Sequence, residues 1–262
     1  MLKLFCTISN PAEKLHGVRE GCVITSIDES KTVVTYKQYA EEEGMVNGYR
    51  AETLVLDDET EPIRIISADT NLIDVYVIYQ RMNENLYYYR INKKPARQLK
   101  KSSAPTQIHL SKDHEFIYIS YENNTIEKRR AACSENRVLE KIQLDTKITH
   151  IHHDFGYLFV LSSFRMNQMV YTNQIYVVEL ESMFKIYSSG PMKQIFTTPT
   201  KKLVFPSSED QLEICSMTSA GKLILSGVRG IKKTNKIISI DDKKTIYFHL
   251  EDKIYTMPLP DK

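Results

Sequence analysis

The chain has 262 residues, of which 42% are hydrophobic and 26% are charged, and its formal net charge is +2. This composition is ordinary for a globular protein, and so small a net charge gives no general attraction to nucleic acid. No run of about 18 apolar residues occurs, and the N-terminal sequence MLKLFCTISNPAEK lacks a small-residue cleavage site. We therefore expect neither a membrane-spanning helix nor a signal peptide.

Four cysteines are scattered along the chain without metal-ligand spacing. Their positions are Cys6, Cys22, Cys133 and Cys215. Scattered cysteines favour buried, reduced thiols, and hence a cytoplasmic or nuclear protein.

The first predicted element is a strand over residues 2–8 (LKLFCTI), which stands before a phrase that then recurs along the chain. The phrase is a short polar group with Ser, His or Asp, followed by a turn and an apolar strand. Its copies begin at Ile24, Ile65, Ile108, Ile148, Ile195 and Ile237. Six copies at a period of about 40–45 residues are typical of a β-propeller.

Each copy also has the strand content of a small antiparallel sheet. The run after the turn is β-branched and aromatic, as in Val75–Tyr79 and Tyr157–Leu161, which suits a strand buried on both faces. Later runs, such as Thr125–Arg129, alternate more clearly. The first copy is the least regular: few residues separate Leu56 from Ile63, so we expect its outer strand to be missing or very short. We interpret residues 40–48 as a loop insertion.

The last copy ends with a strand at Lys253–Met257, after which Pro258 and Pro260 oppose another strand. Its sheet therefore lacks an outer strand, and residues 2–8 can supply one. The predicted fold class is all-β: one β-propeller domain over residues 1–262, with six blades of about 43 residues. The N-terminal strand closes the ring on the last blade. A seventh, degenerate blade is the alternative.

The repeat length and strand rhythm resemble those of the WD40-like β-propellers, over nearly the whole chain. The specific WD40 marks are absent, because the sequence has no tryptophan, no Gly-His pair and no Trp-Asp dipeptide. The resemblance implies a rigid platform for partner proteins, often as a non-catalytic subunit of a larger complex.

The best candidate for chemistry is the group His150, His152, His153 and Asp154. On a strand, His150 and His152 face the same side and could bind a metal. Other copies place Ser, Ala or a lone histidine (His109) here, which favours a structural role. We assign the repeated turn aspartates the same role, because Asp before a tight turn bonds its own backbone. We thus predict no metal, no cofactor and no enzyme activity.

A basic segment is the predicted partner-binding site. The twelve residues 90–101 (RINKKPARQLKK) contain six cations and no acid, and tyrosines precede them. The predicted set is Tyr87, Tyr88, Arg90, Lys93, Lys94, Arg97, Lys100 and Lys101. Such a surface suits an acidic protein or RNA phosphate, although a merely solvated blade edge is the alternative.

The sequence thus predicts a non-catalytic scaffold for protein–protein interaction, a subunit of a larger intracellular complex. One alternative is an RNA-associated accessory subunit of an enzyme that modifies tRNA or another RNA. A second is a small propeller hydrolase or lyase with its active site at the channel mouth. One or more proteins are the expected partners, RNA is an alternative partner, and no membrane is expected.

Overall fold

The computed structural model describes most of the chain. The described residues are 3–8, 10, 13–19, 21–38, 49–56, 59–92, 94–99, 103–131, 137–188, 191–198, 200, 202–206, 211–218, 223–230, 237–240, 245–250 and 253–258. The predicted insertion at residues 40–48 lies outside them. No helix in this part of the chain is long and apolar enough to cross a membrane.

Among the described residues, six four-stranded antiparallel sheets account for nearly all the secondary structure. We number these sheets as blades in chain order. Blade 1 contains β2 (Lys14–Arg19), β3 (Cys22–Ile27), β4 (Thr32–Gln38) and β5 (Tyr49–Val55). Blade 2 contains β6 (Ile63–Thr70), β7 (Val75–Arg81), β8 (Leu86–Ile91) and β9 (Arg97–Gln98). Blade 3 contains β10 (Pro105–Leu110), β11 (Phe116–Tyr121), β12 (Thr125–Arg130) and β13 (Val138–Gln143).

The later blades repeat this order. Blade 4 contains β14 (His150–Asp154), β15 (Tyr157–Arg165), β16 (Tyr171–Val177) and β17 (Ser182–Ser188), with a short 3-10 helix at Val178–Leu180. Blade 5 contains β18 (Phe196–Thr197), β19 (Lys202–Pro206), β20 (Gln211–Met217) and β21 (Leu223–Gly230). Blade 6 contains β22 (Ile237–Ile240), β23 (Thr245–Leu250), β24 (Lys253–Pro258) and β1 (Lys3–Thr7). The fold class is therefore a six-bladed β-propeller, as predicted.

The pairing of β1 with β24 confirms the role predicted for the N-terminal strand. Lys3 is opposite Thr256 and Thr7 is opposite Lys253, in antiparallel register. The strand also delivers Phe5 and Cys6 to a buried cluster, where the Phe5 and Tyr247 rings meet edge to face at 5.5 Å. Strands from both ends of the described chain thus form one sheet. Because β1 pairs with β24, β24 is not an edge strand.

The prediction for the first copy was wrong. Its outer strand is β5, with seven residues, and it pairs with β4 along its whole length. The error arose because Lys14–Arg19 (KLHGVR) forms the first strand of this blade. The recurrent phrase consequently falls on the second strand of blade 1, whereas in the later blades it falls on the first.

The chain divides into two compact units, and the single-domain assignment stays a prediction. The first unit is residues 1–108 with 235–262, and the second is residues 109–234. In the first, Ile24, Val33 and Leu56 of blade 1 pack with Ile65 and Val77 of blade 2. In the second, the core between blades 4 and 5 comprises Phe159, Leu161, Ile175, Val177, Met192, Ile195, Leu203, Phe205 and Cys215. The described cysteines are Cys6, Cys22 and Cys215, all free and buried.

Candidate partner-binding surfaces

In the first unit, two polar side chains in or near the repeated phrase bond to the backbone of a residue about one repeat later. Asp28 Oδ1 accepts a hydrogen bond from the backbone N–H of Ile65 at 2.8 Å, 37 residues later. Ser67 Oγ accepts one from the N–H of Ile108 at 3.2 Å, 41 residues later. The sequence period therefore reappears as the spacing between donor and acceptor, and these bonds satisfy backbone groups that burial would otherwise leave unpaired.

In the second unit, histidines provide the same kind of bond. His109 Nε2 accepts from the N–H of His153 at 3.0 Å, and His150 Nδ1 accepts from the N–H of Ile195 at 3.2 Å. His153 Nδ1 accepts from the N–H of Lys112 at 3.3 Å. An imidazole nitrogen that accepts a hydrogen bond carries no proton, so these bonds require neutral rings. Burial supports this state, because it lowers the pKa of His150 to about 4.

The arrangement at His150 and His152 bears on the alternative of a metal site. His152 Nε2 lies 3.0 Å from Thr197 Oγ1, and that hydroxyl donates to Asp154 Oδ2 at 2.5 Å. Together with the bond at His150 Nδ1, these contacts occupy ring nitrogens and a carboxylate that a metal ion would need. Among the described residues, no group of three or more His, Cys, Asp or Glu could hold a metal ion.

The turn aspartates bond their own backbone at three of the described copies, as predicted. Asp69 Oδ1 accepts from the N–H of Thr70, Asp113 Oδ1 from Glu115, and Asp154 Oδ1 from Phe155. Asp113 also accepts from the Ser111 hydroxyl. These carboxylates thus stabilise turns.

Two residues of the predicted partner-binding site are buried. Tyr88 stacks on Tyr79 with ring centres 5.8 Å apart, and the Arg81 guanidinium covers its ring at 4.2 Å. Arg90 is 3% exposed, and its Nε donates to the carbonyl of Asn92 at 2.7 Å. Both residues lie on β8, a strand enclosed by β7 and β9, so neither offers its polar group to a partner.

Of the other six residues in that set, three are described. Tyr87 is half-buried, and Lys94 is exposed. Arg97 lies on the edge strand β9 and donates to the Tyr89 hydroxyl at 2.8 Å. Lys93, Lys100 and Lys101 lie outside the described residues. The basic segment therefore stays a prediction, and Lys94 is its exposed described cation.

Blade 4 carries an exposed apolar surface that the sequence analysis missed. We call Phe164, Met166, Met169, Met183 and Tyr187 the blade 4 surface. All five are exposed, Met169 by 81% and Tyr187 by 60%. Scattered exposed apolar residues need no explanation, but several on one hairpin and its neighbouring strand are typical of an interaction site.

The strand register and one contact bring three of these side chains, Phe164, Met166 and Tyr187, into one row. Phe164 on β15 is opposite Thr172 on β16, which is opposite Tyr187 on the outer strand β17. Directly opposed residues point to the same face, so Phe164 and Tyr187 flank Thr172 on one face. The Thr172 hydroxyl lies 3.8 Å from the sulfur of Met166, which brings that side chain to the same row.

The turn that carries the two methionines is held by several hydrogen bonds. Asn167 Oδ1 accepts from the N–H groups of Met169 and Val170, both at 2.9 Å. The Arg165 guanidinium donates to the carbonyls of Asn167 and Gln168 at 3.0 and 2.9 Å. A turn fixed in this way presents its apolar side chains with little ordering left to do on binding.

No family model matches the sequence, and no curated protein is similar to it. Solved structures are similar in fold. A chain in the crystal structure of a mitotic checkpoint complex superposes with a TM-score of 0.56 at 8% identity, covering 100% of this chain and 95% of that chain. The WD40 domain of Neurospora crassa Pan2 superposes with a TM-score of 0.54 at 6% identity, covering 100% and 96%. Such low identities show the fold alone, which is that of a WD40-like β-propeller.

Proposed function

We propose that this protein is a non-catalytic scaffold that binds a protein partner through the blade 4 surface. One observation carries the proposal: five large apolar side chains, three of them methionines, are exposed on one hairpin and the adjoining edge strand. Methionine and aromatic residues are enriched in protein interfaces, and aromatic residues there contribute much of the binding energy.

The charges around this surface suggest the chemistry of the partner. Residues 182–208 contain no Asp or Glu, and their described cations include Lys185 and Lys193, which are both exposed. Lys185 lies between Met183 and Tyr187 on the exposed face of β17. A partner segment with apolar side chains and neighbouring acidic residues would complement both features.

The fate of the polar groups supports a non-catalytic role. The histidines and turn aspartates that were the best candidates for chemistry serve as hydrogen-bond acceptors between blades or within turns. A rate-enhancing site needs such groups aimed at a substrate, and here their acceptor atoms are already used. The hydrolase or lyase alternative is therefore the weaker proposal.

The RNA-associated alternative rests on the basic segment at residues 90–101. Arg90 is buried and Arg97 contacts Tyr89, which leaves Lys94 as the exposed described cation of this segment. An acidic protein segment needs fewer cations than RNA phosphate, so we place this edge second, as an accessory contact to the same kind of partner. Membership of a larger complex, in the cytoplasm or nucleus, is part of the proposal, and one chain of similar fold comes from a complex.

The experiment is affinity purification from native cells with a variant of the blade 4 surface. Met166→Gln, Met169→Gln and Tyr187→Ser are combined in one tagged chain, and bound proteins are identified by mass spectrometry. Ile73→Gln is the matched control, because Ile73 is 85% exposed in a turn of blade 2. Exposed substitutions change stability by less than about 0.5 kcal/mol each, so both chains should melt like the parent.

We expect the triple variant to lose at least one partner that the parent and the Ile73 variant retain. With that partner purified, its dissociation constant should rise by about a hundredfold, since loss of interface anchors costs on the order of 2–3 kcal/mol. Equal partner recovery by all three chains, at equal salt tolerance, would overturn the assignment of this surface.

A further inference from the structure

A cavity of about 420 Å³ lies between blades 3 and 4 of the second unit. Its apolar wall includes Ile142, Leu158 and Val178, which belong to or border the buried cluster between these blades. The lining also includes four charged side chains: Lys128, Glu140, Glu179 and Glu181. Three carboxylates against one ammonium give the cavity a net negative charge.

The blade 3 wall is one row of three opposed residues. Tyr118 on β11 is opposite Lys128 on β12, which is opposite Glu140 on β13. Lys128 Nζ lies 3.9 Å from Glu140 Oε2 and 4.5 Å from the centre of the Phe116 ring. Lys128 therefore serves as counter-charge to Glu140 and is held against blade 3 by an aromatic ring.

The blade 4 wall supplies the other two carboxylates from the turn between β16 and β17. Glu179 Oε2 accepts a hydrogen bond from the N–H of Leu158 at 2.7 Å, which fixes this carboxylate at the cavity. The N–H of Glu181 bonds to the carbonyl of Val178 at 3.1 Å. No described cation forms an ion pair with Glu179 or Glu181, so both stand without a counter-charge from the described chain.

Tyr118 adds a neutral polar group to the cavity lining. Tyr118 is 2% exposed, lines the cavity, and has no hydrogen-bond partner among the described residues. Burial raises the pKa of Tyr118, as do the charges of Glu179, Asp113 and Glu140. Tyr118 shares this lining with Glu140 and Glu179, and its hydroxyl oxygen can accept a hydrogen bond from a ligand in the cavity.

We infer that this cavity binds a lysine or arginine side chain of a partner protein. The aliphatic part of such a side chain would pack on Ile142, Leu158 and Val178, and its charged head would meet Glu179 and Glu181. The Tyr118 oxygen would accept one hydrogen bond from the same head. The inference rests on the proposed function as a scaffold and adds a second, separate contact site with the opposite charge preference.

Short glycine-flanked peptides with one lysine or one arginine test this inference. The same peptides with Nε-acetyl-lysine or citrulline are the neutral counterparts, and binding is followed by the methyl NMR signals of Ile142 and Leu158. We expect saturable shifts with a dissociation constant on the order of 1 mM for a charged peptide, and about tenfold weaker binding for its neutral counterpart. Comparison of the lysine peptide with the arginine peptide shows which charged group binds more tightly.

Substitutions of the cavity residues test which groups bind the charged peptide. Glu140→Gln with Glu181→Gln should weaken the charged peptide about tenfold, and Tyr118→Phe about threefold, by removing charge and one acceptor. Glu115→Gln with Glu122→Gln is the matched control, because both glutamates are exposed on blade 3 outside this lining. Absence of a saturable shift, equal binding of neutral peptides, or equal weakening by the control pair would overturn the inference.

Failure here and failure of the proposed function are distinguishable. Phe164, Met169 and Tyr187 do not line the cavity, so a variant of the blade 4 surface should bind the peptides like the parent. Loss of partner capture with peptide binding retained would leave this inference standing. Partner capture that persists in a chain with no peptide binding would overturn the inference alone.

Discussion

The two compact units use different side chains for the same bond between neighbouring blades. In the first unit, a carboxylate (Asp28) and a hydroxyl (Ser67) accept the backbone N–H of a residue about one repeat later. In the second, the imidazoles of His109 and His150 do so. What recurs is therefore an acceptor in or near the repeated phrase, whereas its exact position and residue type vary. A histidine at such a place indicates neighbouring backbone donors, which is why three clustered histidines here need no metal or substrate to explain them.

The units also differ in how the chain builds them. The second is one continuous segment, whereas the first needs both ends of the chain, since β1 pairs with β24. Changes in the N-terminal strand should therefore destabilise the first unit most. Changes in His109, His150 or His153 should destabilise the second unit most.

Removal of β1 should have the largest effect. Deleting residues 1–9 removes Phe5 and Ile8 from a core shared with Val23, Tyr36 and Tyr247, and exposes the edge of β24. Each large buried side chain contributes about 1.5–3 kcal/mol, so the loss is a large part of a typical total of about 5–15 kcal/mol. We expect loss of cooperative unfolding, measured in urea, and loss of hydrogen-exchange protection in blade 1 before blade 4.

Leu4→Ala is the control for that deletion, because Leu4 lies on the same strand and is about half exposed. It should cost less than about 1 kcal/mol, whereas Phe5→Ala should cost about 3–5 kcal/mol. An unchanged melting curve for the deleted chain would show that β1 does not hold blade 6.

Acidification should have the second-largest effect and should lower the free energy of unfolding. The pKa of His150 is about 4 in the folded chain, against about 6.5 when unfolded. Between these values the unfolded chain binds a proton that the folded chain does not, so stability is full above about pH 6.5 and falls as the pH drops towards 4. The loss from His150 is up to about 3 kcal/mol. Burial, with Lys14 nearby, also lowers the pKa of His16, to about 3, so the first unit contributes too.

The free energy of unfolding measured in urea across this pH range checks the prediction. His150→Asn should flatten the profile, because asparagine cannot titrate there. A profile that keeps its full slope in the variant would mean that other groups cause the pH dependence and that folding does not lower the pKa of His150.

Substitution of one hydrogen-bond acceptor should lower the stability by a smaller amount. The same substitution in each unit compares the two units directly. His150→Leu and Asp28→Leu each leave a backbone N–H without an acceptor, at a cost of about 1–3 kcal/mol. His150→Asn and Asp28→Asn retain an oxygen acceptor and should cost less than about 1 kcal/mol. All four variants should capture the same partners as the parent. A leucine variant as stable as its asparagine counterpart would deny the acceptor role at that position.

Much of the fold could be predicted from the sequence because each blade repeats the same few requirements: an acceptor, a turn and an apolar strand. The first strand of blade 1 was missed because KLHGVR is short, mixed in polarity and outside the phrase. Pairing with β3, rather than local propensity, makes it a strand.

The binding surfaces were harder to predict. Arg90 and Tyr88 were assigned to the surface from their charge and sequence neighbours, but β8 lies between β7 and β9 and its polar groups bond inside the blade. Conversely, Phe164 and Met166 look like core residues in the sequence. Phe164 lies at the end of β15 and Met166 in the turn that follows, and both are exposed there. The absence of acids from residues 182–208 was the available signal.

Nitrogen-15 NMR of the imidazole rings at neutral pH directly tests whether the clustered histidines are neutral hydrogen-bond acceptors that join blades. Because a ring nitrogen that accepts carries no proton, His109 should be protonated at Nδ1 alone, and His150 and His153 at Nε2 alone. Each ring should show one fixed tautomer without added metal. Doubly protonated rings, tautomers in exchange, or the opposite tautomers would contradict the account.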